Sequence, residues 1–562
     1  MLRLNELKLP LDHDDNALVT AVLRRLRIPA TDLLTHQVVK RSVDARKKSA
    51  IRLTYSLDLQ VKGEAALLRR FRDDPQLQTS PDTRYRPVVQ APLAWSEAPP
   101  TRPVVIGAGP CGYFAALLLA QMGLRPLLLE RGKAVKERSA DTFGFWRGTR
   151  PFNCESNAQF GEGGAGTFSD GKLYSQVRDP RHLGRKVLEE LVSCGANAEI
   201  LSLHRPHIGT FKLATVVRQL RARIESLGGE VRFQCRMERL LIEERQGQRR
   251  VVGVRLADGN ELASEAVVLA VGHSARDTFQ TLWEQGVAME AKPFAVGLRV
   301  EHPQSLVDRA RWGACAGHPL LGAAEYKLVH HASNGRSAYS FCMCPGGLVV
   351  GATSEEGKVV TNGMSQHSRN ERNANSAIVV GIDPADVAPY GREAGDPLAG
   401  MAFQRHWEAK AFALGGGSYR APGQRVGDFL AGRSSADAGS VRPSYQPGVT
   451  FTDLGECLPA EVIQAIREAL PAFERTIPGF AMEEAVLTGV ETRTSSPVRL
   501  PRGEGLESTN TAGLYPAGEG AGYAGGILSA AIDGIEVAEA VALTLRRRHF
   551  PGEPDGSACD QA

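Results

Sequence analysis

The chain has 562 residues, of which 42% are hydrophobic and 23% are charged, and its formal net charge is +4. This length holds several domains' worth of residues, and the composition is ordinary for a globular protein, which excludes a disordered or fibrous chain. Nine cysteines, without a Cys-x-x-Cys pair, predict neither a disulfide framework nor a metal site. The N-terminus lacks a signal peptide's apolar core and no apolar run approaches the roughly 20 residues that span a bilayer, so we expect a cytoplasmic protein without a membrane segment.

Residues 1–90 form the first predicted unit, a basic ferredoxin-like α+β domain with the start of a linker. Patterns typical of strand, helix, strand, strand and helix follow one another up to Phe71. This unit holds 17 Lys and Arg against 11 Asp and Glu, a net charge of +6, which leaves about −2 for the rest of the chain. Seven prolines between Pro75 and Pro103 predict a linker that lies over the surface.

The next unit, residues 101–290, begins with a dinucleotide-binding fingerprint. A buried strand leads into the turn Gly107-Ala-Gly-Pro-Cys-Gly112, a helix follows, and a second buried strand ends in Glu130, 18 residues after Gly112. Gly107 permits the tight turn, Gly109 lets the backbone approach a pyrophosphate, and Gly112 lets the helix pack closely on the strand. The Glu130 carboxylate suits ribose hydroxyls and disfavours a 2′-phosphate. The fingerprint predicts a nucleotide site and leaves both NAD and FAD open.

Two further glycine-rich segments favour FAD. A short strand from Gly513 ends in Glu519, and the glycines after it lead into a long helix from about Ile527. Such a helix could direct its positive end at a reduced flavin, although a glycine-rich helix start after a buried strand is the simpler alternative. Five glycines between residues 161 and 171 form a loop that could line a phosphate or the flavin ring, or be a flexible surface loop. A dehydrogenase that uses NAD alone needs neither segment.

FAD is therefore the predicted cofactor, and NAD(P)H is expected at most as a transient reductant. The chain has no second unit in which strand, glycine turn, helix, strand and acid occur together, so it lacks a dedicated pyridine-nucleotide domain. The predicted FAD-binding residues are Gly107, Gly109, Pro110, Gly112, Glu130, Arg131, Gly163, Gly164, Gly166, Thr167, Ser169, Gly272, Gly518, Glu519, Gly525, Gly526 and Ile527.

The rest of the chain is less regular. Residues 230–235 predict a strand, and residues 239–244, 250–256 and 261–271 predict a meander. Residues 291–485 mix patterns and fit a doubly wound sheet poorly, so we expect an inserted α+β substrate domain there. Residues 486–550 return to the FAD-binding domain, and the tail 551–562 is expected to be disordered.

The motifs as a set resemble FAD-dependent oxidoreductases of the two-dinucleotide-motif class. Three of them resemble more closely a bacterial family of uncharacterised FAD-dependent dehydrogenases: FGEGGAGTFSDGK at 160–172, FCMCPGG at 341–347 and ETRTSSP at 491–497. The resemblance covers nearly the whole chain and implies FAD and a glutathione-reductase-like core, that is, an α/β Rossmann-like FAD-binding fold. Cys111 departs from the alanine usual in such turns and is expected to be a small packing group. The resemblance does not imply a particular substrate.

Cys342 and Cys344 are the first two of four candidate catalytic residues. They lie two apart in the sequence, on one face if the segment is extended, and could exchange electrons with FAD as a dithiol. The alternative is a pair of partly buried thiols in a strand. His273, the third candidate, follows a predicted strand end and could contact the flavin or the pyrophosphate, or act as a base.

Arg493 is the fourth candidate. Together with Glu491 and Arg499 it surrounds a Thr-Ser-Ser-Pro turn, where it could bind an anionic group of a substrate through bidentate contacts. The alternative is a structural ion-pair network. Arg276 and Asp277, next to each other after the predicted strand, are expected to form a local ion pair.

Three functions follow from these observations. The first is a flavin dehydrogenase or reductase that passes hydride between N5 of FAD and a small molecule held under the inserted domain. The second is a flavoenzyme that modifies RNA, with phosphates bound by the basic runs at 40–41 and 46–48. The third is an FAD-bearing redox sensor or electron-transfer protein that acts through Cys342 and Cys344. The sequence identifies neither a substrate nor an oligomeric state.

Overall fold

The computed structural model describes residues 1–90 and 101–549. Part of the predicted linker and the tail 551–562, expected to be disordered, lie outside the described residues. The chain forms an N-terminal domain, a dinucleotide-binding domain around a parallel sheet, and an inserted domain around a larger sheet. Within 1–90 and 101–549, no helix combines the length and apolarity needed to cross a bilayer.

The N-terminal domain has the strand–helix–strand–strand–helix–strand succession of a ferredoxin-like fold. Its four antiparallel strands lie in the order second, third, first, fourth. Alternate residues of Arg52–Val61 are buried, as expected for a sheet with one covered face. The last strand is not predicted from the sequence because its three residues, between Pro75 and Pro81, carry no periodicity. The strands are Leu2–Pro10, Leu33–Asp44, Arg52–Val61 and Leu77–Thr79, and the helices are Ala17–Leu26 and Glu64–Arg70, with a 3₁₀ turn at Ala30–Asp32.

An edge strand fixes the N-terminal domain to the rest of the molecule. The Arg41 N–H donates to the Ser202 carbonyl (2.6 Å), and the His204 N–H donates to the Arg41 carbonyl (2.9 Å). These bonds cover part of the open edge of Leu33–Asp44, which would otherwise be free to pair with another chain. Ile51 is buried in the core of the inserted domain. The N-terminal domain therefore packs against both other domains.

The dinucleotide-binding domain is built on a five-stranded parallel sheet. Its three central strands are entirely buried and apolar, as is typical where helices cover both faces. The last strand and the last helix of the described chain complete this domain, because Gly534 of that helix packs against the Cys111 carbonyl, where a Cβ would lie only 2.3 Å away. In spatial order the strands are Leu514–Pro516, Val267–Leu269, Val104–Ile106, Leu127–Leu129 and Glu230–Arg232, and the helices in chain order are Pro110–Gln121, Val135–Trp146, Leu183–Ser193, Thr210–Ser226, Arg276–Glu284 and Ile527–His549, with 3₁₀ turns at Ala165–Phe168 and Ala198–Leu201.

The predicted meander is a separate three-stranded antiparallel sheet. Its last predicted strand is divided into two strands that belong to different sheets. Residues 261–271 were expected to form one strand, but Glu261–Ala263 ends the meander and Val267–Leu269 belongs to the parallel sheet. Ser264 lies between them, and its hydroxyl donates to the carbonyls of Arg102 and Ala266 (both 2.9 Å), which bends the chain from one sheet to the other. The first two meander strands are Met237–Arg245 and Gln248–Leu256.

The inserted domain is built on a seven-stranded sheet with helices packed on it. Val486–Glu491 pairs with Phe294–Pro303 inside this sheet. The domain therefore ends after Glu491, and the boundary expected at residue 485 is too early, because the local pattern of this short strand does not show which sheet it joins. In spatial order the strands are Val329–His331, Ser337–Cys344, Asn373–Ile382, Phe294–Pro303, Val486–Glu491, Ala421–Arg425 and Val449–Phe451.

Smaller elements complete the inserted domain. Gly347–Gly351 pairs antiparallel with Thr361–Ser365 beside the large sheet. Outside the domain, Glu290–Ala291 pairs with Val498–Arg499 where the chain enters and leaves it. The helices are Gln304–Trp312, Pro384–Val387, Ala399–Leu414, Val426–Ala431 and Ala460–Glu474, with 3₁₀ turns at Gly313–Cys315, Ala388–Tyr390 and Leu454–Glu456.

Candidate functional site

A cavity of about 340 Å³ lies at the carboxyl ends of the parallel strands, where the inserted domain faces them. Open α/β sheets bind ligands at this edge. Three of the four candidate catalytic residues, His273, Cys342 and Arg493, contribute to its wall. The predicted FAD-binding residues in the wall are Gly107, Gly109, Pro110, Glu130, Arg131, Gly164, Gly166, Ser169, Gly272, Glu519, Gly525, Gly526 and Ile527.

The dinucleotide turn meets the glycine-rich loop at this wall. Gly107 has φ +102°, and a Cβ there would lie 2.4 Å from the Ala270 carbonyl oxygen. A Cβ on Gly164 would lie 2.8 Å from the Cα of Gly109, so the two segments touch through bare backbone. Gly109 is extended, and the helix that begins at Pro110 directs its N-terminus at the cavity. Its first N–H groups are those that lack acceptors within a helix, which suits a phosphate.

Four of the predicted cofactor residues shape the site from behind the wall. A Cβ on Gly112 would lie 1.8 Å from the Gly107 carbonyl oxygen, so Gly112 serves the packing of helix on turn. Gly518 donates its N–H to Asp533 (2.6 Å) and packs on Cys111. Thr167 is 2% exposed and its hydroxyl donates to the Glu162 carbonyl (3.4 Å), so it lies behind the wall, and its contact with the cofactor stays a prediction. The fourth is Gly163, where a Cβ would lie 2.1 Å from the Thr167 hydroxyl oxygen.

The Ser169 hydroxyl is also occupied within the loop. It donates to the Gly166 carbonyl (2.7 Å) and accepts from the Gly171 N–H (3.0 Å). Ser169 thus fixes the shape of the glycine-rich loop, although it remains part of the cavity wall.

Glu130 is held by backbone on three sides. Its carboxylate accepts N–H bonds from Ala108, Gly132 and Gly161, each of 2.8 Å. A carboxylate offers about four acceptor sites, so these bonds orient it and leave about one site for a hydroxyl at the cavity. The geometry suits the predicted ribose contact, which itself stays a prediction.

His273 and the C-terminal glycines offer the fit expected for a flavin. The His273 Nδ1 lies 3.4 Å from Glu519 Oε1, while its Nε2 is buried without a hydrogen-bond partner among the described residues. A Cβ on Gly525 or Gly526 would meet no atom of the described chain within 4 Å, so both present open backbone to the cavity. The helix from Ile527 begins directly behind them. An unsatisfied polar atom and a backbone cradle beside a helix N-terminus suit the polar edge of a flavin.

The inserted domain closes the cavity with buried charges. Glu408 is fully buried and accepts bidentate bonds from Arg276 (2.7 and 2.9 Å) and from Arg493 (3.0 and 3.1 Å). Burial alone would raise the pKa of Glu408, but the charges of the two arginines outweigh it and hold that pKa well below its ordinary value. Arg493 also donates to the Ser274 hydroxyl (3.1 Å). Its guanidinium is thus engaged in the ion-pair network given as the alternative to substrate binding.

The expected ion pair between Arg276 and Asp277 is wrong. Arg276 pairs with Glu408 and Glu355, whereas Asp277 accepts from Arg131 (2.9 and 3.0 Å). Neighbours on a helix point in different directions, so two adjacent residues there do not face each other. Arg131, a predicted cofactor residue, is held in the cavity wall by this bond and by Glu155.

A second buried pair joins two strands beneath the cavity. Arg299 binds Glu491 through two bonds (2.7 and 2.8 Å) and donates to the Cys342 carbonyl (3.3 Å). Arg499, by contrast, stacks over the Tyr523 ring at 4.8 Å. The three residues expected around the Thr-Ser-Ser-Pro turn therefore have separate partners.

Lys172 is a cavity residue to which the sequence analysis gave no role. Its ammonium pairs with Asp170 (2.9 Å), which also binds Arg369 (2.5 and 2.9 Å). The ammonium donates as well to the carbonyl of Met343, between the two candidate cysteines. The place of this lysine at the end of the glycine-rich motif could have indicated a role at the site. Its contact with a residue 171 positions away could not be predicted from local sequence.

The chain matches two family models. Residues 293–494 match one described as FAD-dependent protein, C-terminal domain-like, and residues 1–60 match a domain of unknown function. An uncharacterized protein of Clostridium beijerinckii is 46% identical over 541 residues, which cover 96% of this chain and 98% of that protein.

Two solved structures are also similar. Glycine oxidase from Bacillus cereus is 12% identical with a TM-score of 0.32, over 79% of this chain and 95% of its own. CtdE in complex with FAD is 10% identical with a TM-score of 0.30, over 80% of this chain and 90% of its own. The membership of this chain in a family rests on the Clostridium protein, and its dependence on FAD rests on the family model.

Proposed function

The chain belongs to the family of the Clostridium beijerinckii protein, a family of uncharacterised FAD-dependent oxidoreductases, and from this premise we propose that it passes hydride between N5 of FAD and a small molecule. The observation that carries the proposal is the cavity of about 340 Å³ that both domains line. Gly109 and Gly525 contribute to its wall from the dinucleotide-binding domain, and Phe341 and Asn362 contribute from the inserted domain. A cofactor bound along the glycines would have a reactive face covered by the inserted domain.

The residues of the chain would each do a separate part of the work. Bound FAD supplies the two-electron chemistry. Bare backbone at Gly109 and Gly164 would admit the pyrophosphate, and Glu130 would accept from the ribose. The N-terminus of Ile527–His549 would stabilise negative charge on the reduced cofactor through the positive end of its dipole. The inserted domain excludes water from the side that faces the substrate.

The same geometry supports a small molecule over RNA as the substrate. Lys172 and Tyr174 contribute to the cavity wall together with residues of both domains, and a cavity between two domains suits a compact substrate better than a polynucleotide. In the basic N-terminal domain, Arg41 is tied to residues 202–204 through its backbone, and the exposed Arg46 pairs with Asp44 (2.6 Å). We further propose that NAD(P)H, if it is the reductant, docks transiently at this cavity.

Gly109→Ala tests the cofactor site. Gly109 has φ −79°, which alanine adopts, and the nearest protein atom to the new Cβ would be 3.9 Å away. The methyl group would stand where the pyrophosphate must approach, so we expect the Kd for FAD to rise about tenfold or more, equivalent to about 1.4 kcal/mol. FAD binding is measured by flavin fluorescence. The matched control is Gly503→Ala, at an exposed position where a Cβ meets no described atom within 4 Å.

Anaerobic reduction tests the reaction. The purified protein should carry a flavin spectrum that bleaches with NADH or NADPH and returns on addition of an oxidant from a panel of small molecules. A colourless protein that takes up no FAD would overturn the proposal. If neither nucleotide bleached the flavin, NAD(P)H would not be the reductant, and the electron donor would be another compound.

A further inference from the structure

The two candidate cysteines lie at a bulge, so they are not equivalent. In the strand Ser337–Cys344, the pairing with Asn373–Ile382 slips between Phe341 and Cys344. Cys342 has φ +44°, a conformation that non-glycine residues rarely adopt. A bulge redirects side chains relative to a regular strand. Cys342 is therefore part of the cavity wall, whereas Cys344 is fully buried in the sheet. The condition for placing both cysteines on one face, an extended segment, is therefore not met at Cys342.

Two cations are held against this short segment from opposite sides. Arg299 donates to the Cys342 carbonyl (3.3 Å), and Lys172 donates to the carbonyl of Met343. Each cation is fixed by a buried carboxylate, Glu491 for Arg299 and Asp170 for Lys172. Packing of two thiols alone would not need positive charge on both sides of the segment that carries them.

The protonation of the pair is asymmetric. The Cys344 thiol lies against Cys342 and donates to the Cys342 carbonyl oxygen (3.4 Å). The interaction with the Cys344 thiol, joined by the charges of Lys172 and Arg299, lowers the pKa of Cys342 against the opposing effect of burial. The same interaction, together with burial, raises the pKa of Cys344. One thiolate and one thiol side by side is the starting state for forming a disulfide, since the thiolate is the reactive form.

We propose that Cys342 and Cys344 are a redox-active dithiol that exchanges two electrons with FAD bound in the same cavity. In the oxidising direction the S–S bond forms from the Cys342 thiolate and the Cys344 thiol, which together lose two electrons and one proton. The electrons and the proton pass to oxidised FAD, which becomes the two-electron-reduced anion. The reverse step breaks the S–S bond and restores thiolate and thiol. The proposal rests on FAD as the cofactor and adds a second redox centre to the site.

An anaerobic dithionite titration of the oxidised holoprotein counts the electrons. Because the dithiol and the flavin are each two-electron couples, the native protein should take up four electrons per bound FAD. Cys342→Ser and Cys344→Ser should each take up two. Cys154→Ser, which removes an exposed cysteine outside the cavity wall, should still take up four. Uptake of two electrons by the native protein would overturn the proposal. Since the count is made per bound FAD, a protein without FAD contradicts the proposed function instead.

Alkylation gives a second measurement that needs no redox turnover. The purified, reduced protein is treated with iodoacetamide at pH 7, and each cysteine is followed by peptide mass spectrometry. Cys342 should react ahead of Cys344, and Lys172→Met should slow Cys342 about tenfold, because the thiolate fraction falls when the neighbouring cation is removed. Lys212→Met, at an exposed lysine, should leave the rate unchanged. Equal rates at Cys342 in Lys172→Met and the native protein would contradict the assignment of Cys342 as the thiolate.

Discussion

The cavity has a wall made of backbone on one side and a wall made of buried charge on the other. The cofactor wall, defined by Gly109, Glu130, Gly164 and Gly525, works through open N–H groups and the absence of side chains. The charged wall, defined by Lys172, Glu491 and Arg493 with the buried partners behind them, among which is Glu408, works through ion pairs that cross between elements. A backbone wall can accept a large cofactor without rearrangement, whereas a charged wall resists change because each member compensates another.

Glu408→Ala should give the largest effect on stability. The substitution leaves Arg276 and Arg493 buried, the first of them 2% exposed, without their shared carboxylate. Removing one partner of a buried pair costs about 3–5 kcal/mol, because the remaining charge is uncompensated. Urea unfolding at pH 7 measures the loss. If the cost stayed under about 1 kcal/mol, the charged wall would not be a unit of compensating charges.

Glu261→Ala is the matched control for that measurement. Glu261 pairs with Arg255 at 2.7 Å, a distance like those at Glu408, but both side chains are more than two-fifths exposed. A surface pair of this kind is worth about 0–1 kcal/mol. The difference between the two variants isolates the effect of burial.

Acid should weaken the charged wall through Glu408. Because the folded pKa of Glu408 lies below its ordinary value of 4.5, the unfolded state binds the proton first as the pH falls. The stability that the ionised group contributes is thus fully present above about pH 4.5 and is lost as the pH falls toward the folded pKa. Glu408→Gln lacks this contribution, so the gap in unfolding free energy between the native protein and this variant, roughly 1–3 kcal/mol near neutral pH, should narrow below pH 4.5.

Urea unfolding of both proteins from pH 8 to pH 3 measures this gap. Other acids such as Asp170 are present in both proteins and cancel in the difference. A gap that stayed constant down to pH 3 would mean that Glu408 is not ionised in the folded state.

The two walls also differ in how far they can be predicted from sequence. The turn from Gly107 to Gly112 and the acid at 130 lie within one βαβ unit, so local spacing specifies their place, and 13 of the 17 predicted FAD-binding residues lie in the cavity wall. Glu408 is 85 residues from Arg493 and 132 from Arg276 in the sequence, and no local pattern indicates partners at such separations. The nearest sequence neighbour, Asp277, was the natural choice for Arg276, and it was wrong.

The elements of the fold likewise divide into those with local sequence signals and those that depend on distant partners. The parallel sheet and the ferredoxin-like domain were expected because buried runs, alternation and glycine turns are local signals. The end of the inserted domain at Glu491 was not, since the place of Val486–Glu491 depends on pairing with Phe294–Pro303 and not on a local pattern. The bulge at Cys342 likewise depends on register with a neighbouring strand.

Gly526→Ala should separate binding from stability in the cofactor wall. A Cβ at Gly526 meets no described atom within 4 Å, so the unfolding free energy should change by less than about 1 kcal/mol. The methyl group would instead occupy the place of the flavin edge, and the Kd for FAD should rise about tenfold. Fluorescence titration with FAD measures binding, and Gly505→Ala at an exposed position is the control. A large stability loss without weaker FAD binding would show that side-chain space at Gly526 serves the fold.

Cys111→Ala should have the smallest effect, although Cys111 also contributes to the cavity wall. Burial, and after it the charge of Asp533, raise the pKa of the Cys111 thiol well above its ordinary value, so it is neutral and unreactive near pH 7. Its Cβ packs on Gly518, and alanine keeps that contact while losing only the sulfur. We expect a stability loss of about 1 kcal/mol or less, unchanged FAD binding, and no iodoacetamide labelling of Cys111 in the native protein. Weaker FAD binding in this variant would mean that the Cys111 side chain contacts the cofactor, and that the cofactor wall does not work through its backbone alone.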